Sequence, residues 1–540
     1  MLARTLLAFF LAASTAAAED YDVIIRNVRV VDGAGGPWFR ADVGVRKDTI
    51  AAIARHIDGN APRVIDAHDR VVAPGFIDLH THARRGIFDV PTADNYIRQG
   101  VTTIFEGPDG GSPVPIGELL DKVAALRTAP NFATFVGQGS IREKVIGNVD
   151  RKATAEEIAR MQALVRQAML DGAFGLSTGL YYVPGSFTPT EEVIALARVA
   201  GEYGGIHISH MRDETAKVRD SVRETIRIGE EGGLPTQVTH HKALGTPNWG
   251  ASADTLRLID EARARGVDVS SDQYPYTASS TSLHAALLPA WALEGGRDDL
   301  LKRLKDPAAR ARIRDTVVDR IRNERGGGDA KNIQFASTDF DPSLAGKTLA
   351  DAVRARGKEP TVENAADVAL ELVERGRVSG IFHAMAEPDV ERILRHPATM
   401  IASDGEVPLF GKGSPHPRSY GTFVRVLGRY VREKKVLSLE EAVRKMTSMP
   451  AQRVGLNDRG LLRPGMKADL VIFDPATVAD AATFTEPHQY AAGVSHVFVN
   501  GVLVVDEGKV TGARPGTVLR SHISPERRPL RAAAEGHPAR

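Results

Sequence analysis

The chain has 540 residues, 42% hydrophobic and 25% charged, with 69 Lys+Arg against 68 Asp+Glu and no cysteine. That length and composition describe a globular protein with ample core, either one large domain with attachments or two to three ordinary ones, and exclude a disordered or fibrous chain. A formal charge of +1 leaves no electrostatic footprint for nucleic acid or an anionic membrane, and zero cysteines exclude disulfides, thiolate metal sites and a cysteine nucleophile, so any metal must be held by His and carboxylates.

Residues 1–18 carry one charge, Arg4, then an apolar run from Leu6 to Leu11, then small residues ending in Ala16-Ala17-Ala18 before Glu19. This is the order of a secretory signal peptide, and the run is too short to span a bilayer. The expectation is a secreted or periplasmic protein cleaved after Ala18, with no membrane span further along.

Residues 19–72 read as short β-branched strands separated by Gly and Asp turns, and residues 461–520 have the same character. The two ends are expected to pair into one small β-sandwich, with the middle of the chain as an inserted unit. That middle, 73–460, alternates apolar strands with amphipathic helices. Thr154-Ala-Glu-Glu157 is a capping box, and Ile158, Met161, Leu164, Val165, Ala168 and Met169 then keep a helical period. Thr188-Pro-Thr-Glu191 opens the next helix with Pro in its first turn. Eight strands are predicted: 75–80, 102–106, 133–137, 174–177, 206–210, 237–240, 267–271 and 400–403. Eight such units define an α/β fold of the (β/α)8 TIM-barrel type. Residues 284–380 break the rhythm and are read as a subdomain inserted between strands seven and eight, while 521–540, rich in Pro, Arg and Ala, read as a flexible tail.

Ligand-type residues recur at the strand ends. His80 and His82 end the first strand, two residues apart and so on one face. His210 ends the fifth, His240 the sixth, Asp404 follows the eighth and Glu106 ends the second. Barrel active sites lie at that end, so the expected metal ligands are His80, His82, Glu106, His210 and His240. Zn2+ fits such donors, one ion or two, with Mn2+, Co2+ or Fe2+ as alternatives. His241 must point the opposite way from His240, and His207 and His383 read as packing residues.

Pro74-Gly-Phe-Ile-Asp-Leu-His-Thr-His82 resembles the signature of the amidohydrolase superfamily. The blocks 175–185, Ser209-His-Met-Arg-Asp-Glu214, Thr239-His-His-Lys242, Asp272-Gln-Tyr-Pro-Tyr276, Ile401-Ala-Ser-Asp-Gly405 and His416-Pro-Arg-Ser-Tyr-Gly421 resemble, in order, those of the N-acyl-D-amino-acid deacylases (D-aminoacylases). The resemblance implies a TIM barrel with a β-sandwich and metal-dependent cleavage of a small N-acyl-D-amino acid or D-containing dipeptide. It implies Asp404 as the general base and acid acting with metal-activated water, and Tyr182, Lys242, Tyr274, Ser280 and Arg418 as substrate contacts. One departure stands out: relatives commonly carry a cysteine after the second strand, where this chain has Glu106-Gly-Pro-Asp109. Another follows His82, where the family's acidic residues are replaced by Ala83-Arg84-Arg85. A cyclic-amide hydrolase of the hydantoinase or dihydroorotase kind is the alternative, opposed by Ser177 and Thr178 where such enzymes place a bridging lysine. An exported, non-catalytic metal- or ligand-binding protein is the second alternative, opposed by Asp404 beside the histidines.

Overall fold

The computed structural model describes residues 20–521. The predicted signal peptide and the predicted tail beyond Ser521 lie outside the described residues.

Eight parallel strands build the central barrel: β1 (Phe76–Asp78), β2 (Val101–Glu106), β3 (Asn131–Thr134, continued by Val136–Gly137), β4 (Gly175–Gly179), β5 (Ile206–His210), β6 (Thr236–Val238), β7 (Val269–Gln273) and β8 (Thr399–Ile401). Neighbours pair in sequence order, and the ring closes where Asp404 N donates to His80 O at 2.9 Å. Ile77, Phe105, Ala133, Ile208 and Met400, from five strands, join one buried cluster that fills the barrel. The period-2 alternation of strands explains β5. Ile206 and Ile208 point into that cluster, while His207 points away, sandwiched between Thr178 Oγ1 (3.0 Å) and Thr236 Oγ1 (2.8 Å).

Helices cover the outside. The helix Ala155–Asp171 starts on the capping box, with Thr154 accepting from Glu157 N and the Glu157 side chain accepting from Thr154 N; such a cap is worth about 1 kcal/mol. It buries Met161, Val165, Ala168 and Met169, and Gly172 ends it in the left-handed region at φ 108°. In the helix Thr190–Glu202, Pro189 is the residue before the first turn rather than within it.

Both chain ends contribute to one nine-stranded sheet. The ends meet where Leu470–Phe473 pairs antiparallel with Val71–Pro74, next to Val23–Val30. Ile25, Val43, Ile50, Leu470 and Phe498 form its own core. Between β7 and β8 stands an insertion with a separate core that includes Leu283, Ile313, Phe335 and Leu372. Its three-stranded antiparallel sheet has Val378–Phe382 in the centre, flanked by Ser279–Ser282 and Ile333–Thr338, so it begins five residues before the predicted boundary at 284. Among the described residues no helix is long and apolar enough to cross a membrane.

Candidate metal centre and active-site cavity

The C-terminal ends of the barrel strands gather two groups of candidate metal ligands. His80, His82, Asp109 and Asp404 form one, and Asp109, His210 and His240 form the other, with ligand atoms inside 4.8 Å of one another in each. Asp109 belongs to both. Its Oδ1 lies 3.4 Å from His80 Nε2, 3.4 Å from His240 Nε2 and 3.6 Å from His210 Nδ1, and its Oδ2 lies 3.4 Å from His82 Nε2. Asp404 Oδ1 faces His82 Nε2 at 3.1 Å and His80 Nε2 at 3.6 Å, while Oδ2 pairs with Arg418 Nη1 at 2.8 Å.

The donor set fits a divalent cation. Both ring nitrogens of the fully buried His80 lack a hydrogen-bond partner, as do His210 Nε2 and Asp109 Oδ1. Buried polar atoms without partners are rare, and convergent imidazole and carboxylate atoms are the ligands of zinc-type sites. Asp109, His240 and Asp404 also have positive φ values of 56°, 34° and 51°. Left-handed backbone at non-glycine residues is costly and clusters at functional sites.

The charge state follows from the neighbours. Burial pushes the Asp109 carboxyl up, but His80 and His210 outweigh it and hold Asp109 well below the usual carboxylate range. Asp404 is likewise lowered, because Arg418 and His80 overcome its burial. His240 is raised to about 9 despite burial and Lys242, through Glu214 and Asp109. His210, 2.7 Å away from it, is lowered chiefly by burial. His240 is fixed from behind: Asp272 Oδ1 accepts its backbone N–H at 2.6 Å, and Glu214 Oε1 lies 3.1 Å from its Nδ1. Glu214 Oε1 also takes Lys242 Nζ at 2.5 Å.

The structure leaves one predicted ligand apart from the others. Glu106 is buried but stands outside both groups, accepting Arg84 N–H at 2.9 Å and facing Arg84 Nε at 3.6 Å. The carboxylate at the centre is Asp109, three residues further on. The chain leaves β2 through Gly107 (φ 79°) and Pro108, then turns at Asp109 and Gly110 (φ 72°), which folds the Asp109 side chain over the mouth. A Cβ at Gly107 would lie 2.4 Å from Phe135 O, so only glycine permits that turn. The strand pattern ends at Glu106 and says nothing about a turn; the available signal was Pro-Asp-Gly directly after a strand end. His80, His82, His210, His240 and Asp404 are brought together as their positions predict. His241 faces the other way, 2.9 Å from Thr255 Oγ1. Glu214, whose place in the sequence predicts no role, is the buried anion between His240 and Lys242.

The predicted substrate residues share one cavity of about 700 Å³ with His82, Asp109, His210, His240 and Asp404. Tyr182 packs its ring 4.6 Å from that of His210, its hydroxyl 3.1 Å from Thr281 Oγ1. Tyr274 stacks under Arg418 at 4.8 Å and lies 5.7 Å from Lys242 Nζ. Ser280 lines the cavity from the insertion's first strand. Ser177 and Thr178, on β4, are committed elsewhere, Ser177 Oγ to Gly107 O and Thr178 Oγ1 to His207.

A closed parallel barrel with imidazoles and carboxylates at its C-terminal mouth and a β-sheet built from both chain ends defines a class, and the chain belongs to the amidohydrolase family, whose profile matches residues 63–505. Within it, the chain is 40% identical over 524 residues to the D-aminoacylase of Alcaligenes xylosoxydans xylosoxydans, spanning 93% of this chain and 98% of that protein. It is 37% identical over 528 residues to N-acyl-D-glutamate deacylase of the same organism, spanning 94% and 98%. The solved structure of N-acyl-D-glutamate deacylase from Bordetella bronchiseptica, complexed with zinc and a phosphonate mimic of the tetrahedral intermediate, superposes with a TM-score of 0.79 at 35% identity, covering 93% of this chain and all of that one.

Proposed function

We propose that this protein is a metal-dependent hydrolase that cleaves the amide bond of N-acyl-D-amino acids or D-containing dipeptides. The observation that carries it is the pair of His/carboxylate groups joined by Asp109 at the barrel mouth, beside Asp404, in a chain 40% identical to a D-aminoacylase. His210, His240 and Asp109 would hold one divalent ion, zinc by its donor set, and His80, His82, Asp109 and Asp404 a second. Such an ion supplies Lewis acidity and water that ionises near neutral pH.

The remaining work falls to side chains. Asp404 is ionised at neutral pH, so it can accept a proton from the attacking water at Oδ1 and return it to the leaving amine. Burial, with Asp109 and Asp404 nearby, pushes the Tyr182 hydroxyl well above 10, so it stays protonated as a donor to the developing oxyanion. Arg418, Lys242, Tyr274 and Ser280 line one side of the cavity and would clamp the substrate's α-carboxylate. A cyclic-amide hydrolase is the weaker reading, because β4 offers hydroxyls already hydrogen-bonded in place of a lysine. The Arg4, Leu6–Leu11 and Ala16–Ala18 pattern supports export to the periplasm or medium, which N-terminal sequencing of the mature protein checks.

The direct test is release of free amino acid from a panel of N-acetyl-D- and N-acetyl-L-amino acids and D-containing dipeptides. Release from D substrates is expected; activity confined to L substrates or to hydantoins would overturn the proposal.

A further inference from the structure

At the end of the barrel opposite the mouth lies a second cavity, of about 510 Å³, lined by residues at the starts of β5, β6, β7 and β8. The interior of such a barrel is ordinarily closed by layers of packed side chains. Here Ile206 and Met400 of the barrel core form part of the cavity wall, with Met449 and Val454 beside them. The volume is in the range that holds a small molecule. No residue of this wall is shared with the mouth cavity.

Two residues of the wall carry buried polar atoms without a partner. Arg453 ends the helix Ser448–Arg453, and its side chain is 6% exposed. Its Nη1 donates to Asp268 Oδ1 at 2.7 Å and its Nη2 to Thr236 O, beside the starts of β7 and β6. Its Nε has no hydrogen-bond partner among the described residues, and neither has Oγ of the buried Ser270. Strand period orients Ser270: it stands two residues before Asp272, which reaches the His240 backbone inside the barrel, so Ser270 also points inward, nearer the foot. Buried donors and acceptors left unmade are costly, and each such atom calls for an occupant.

The charges on the wall indicate which occupant. Asp268 serves Arg453, Asp260 faces His396 Nε2 at 2.9 Å, and Arg444 is held by Glu441 at 2.8 Å. Arg263, in the last turn of the helix Ser252–Ala264, has no carboxylate in ion-pair contact among the described residues, and its Nη1 donates to Val269 O at 2.7 Å. Burial and the Arg263 charge pull the Arg453 guanidinium below its usual value, against the effect of Asp268. An anion beside both guanidiniums would relieve that repulsion and meet the free Nε–H.

We infer that the foot of the barrel is a binding site for a small carboxylate carrying a short apolar chain. Its oxygens would meet Arg453 Nε and Ser270 Oγ, near Arg263, and its chain would lie against Met400, Met449 and Val454. The apolar part of the wall favours such a ligand over an inorganic anion, and the two guanidiniums favour it over an amine.

The probe is hexanoate, titrated by calorimetry into the zinc-loaded enzyme. Saturable binding is expected with a Kd of about 1 mM or tighter, with hexylamine and inorganic phosphate at least about tenfold weaker. Arg453→Met should weaken hexanoate about 10- to 100-fold, the worth of a charge-assisted hydrogen bond, and Ser270→Ala about 2- to 10-fold. Arg263→Met, at an exposed residue, should weaken it in the same direction. Arg453→Met also cuts the tie between β6 and β7; Ser270→Ala and Arg263→Met leave that tie intact and decide the matter if the first variant misfolds. Arg418→Met tests the mouth, and hexanoate held at the foot keeps its affinity in that variant. Binding that Ser270→Ala and Arg263→Met both leave unchanged would overturn the inference, whether or not Arg418→Met weakens it. No saturable binding up to about 10 mM, with water alone on Arg453 Nε, would overturn it too, as would phosphate or hexylamine bound as tightly as hexanoate.

Discussion

Asp109→Asn removes one charge from the centre of the candidate metal site and almost no volume. The carboxylate faces four imidazole nitrogens at 3.4–3.6 Å. At an effective dielectric of about 20, a unit charge pair at that separation is worth about 5 kcal/mol. Desolvation offsets part of it, and breaking a buried pair by removing one partner costs about 3–5 kcal/mol. Against a bound cation the loss is compounded, because Asp109 belongs to both ligand groups. Residues that only support a ligand cost about 10- to 100-fold in metal affinity when changed, so losing this shared ligand should cost more than about 100-fold. The assay is metal content by elemental analysis after passage through metal-free buffer, with chelator competition to obtain the affinity. Glu106→Gln is the control: its carboxylate serves Arg84, so that variant should keep its metal. Full metal in Asp109→Asn together with loss from Glu106→Gln would refute the assignment of the central carboxylate.

Other expectations concern the surrounding groups. Asp404→Asn should keep metal at the Asp109–His210–His240 group and lose about 10²- to 10⁴-fold in kcat, since proton transfer by a positioned carboxylate contributes that much; near-normal kcat with metal bound would remove Asp404 from the role. Glu214→Gln leaves the buried Lys242 without its anion and should cost about 3–5 kcal/mol in urea unfolding, and a stability change near zero would contradict that. Metal affinity should depend on pH. His80 and His82 are raised above their usual value and His240 to about 9, so in the metal-free protein they hold protons that an incoming ion must displace. Apparent affinity should therefore rise with pH through the neutral range and level off above about 9, as titrations on either side of neutrality would show. A flat profile or a fall would contradict these proton assignments.

Local pattern carried much of the architecture into view. Strand runs such as Ile206–His210 and the capping box Thr154–Glu157 are encoded by nearest neighbours, so the eight barrel strands and the helix starts are legible from residue order. Once a barrel is inferred, its closure brings His80, His82, His210, His240 and Asp404 to one mouth, and no further information is needed. Asp109 was not legible in the same way, because its place depends on a turn through left-handed backbone rather than on strand period. The zero-cysteine composition points to a site made of His and carboxylates, and the structure gathers Asp109 rather than Glu106 with the histidines.

Hydrolysis of D-configured N-acyl amino acids at the ligand groups joined by Asp109 is the activity on which the proposed function stands. Its most direct measurement is release of free amino acid from an N-acetyl-D-amino acid and its L enantiomer, before metal removal by chelation, after it, and after zinc is restored. Hydrolysis of the D enantiomer is expected, lost on chelation and recovered with zinc. Hydrolysis that survives complete metal removal, or that is confined to the L enantiomer, would contradict it.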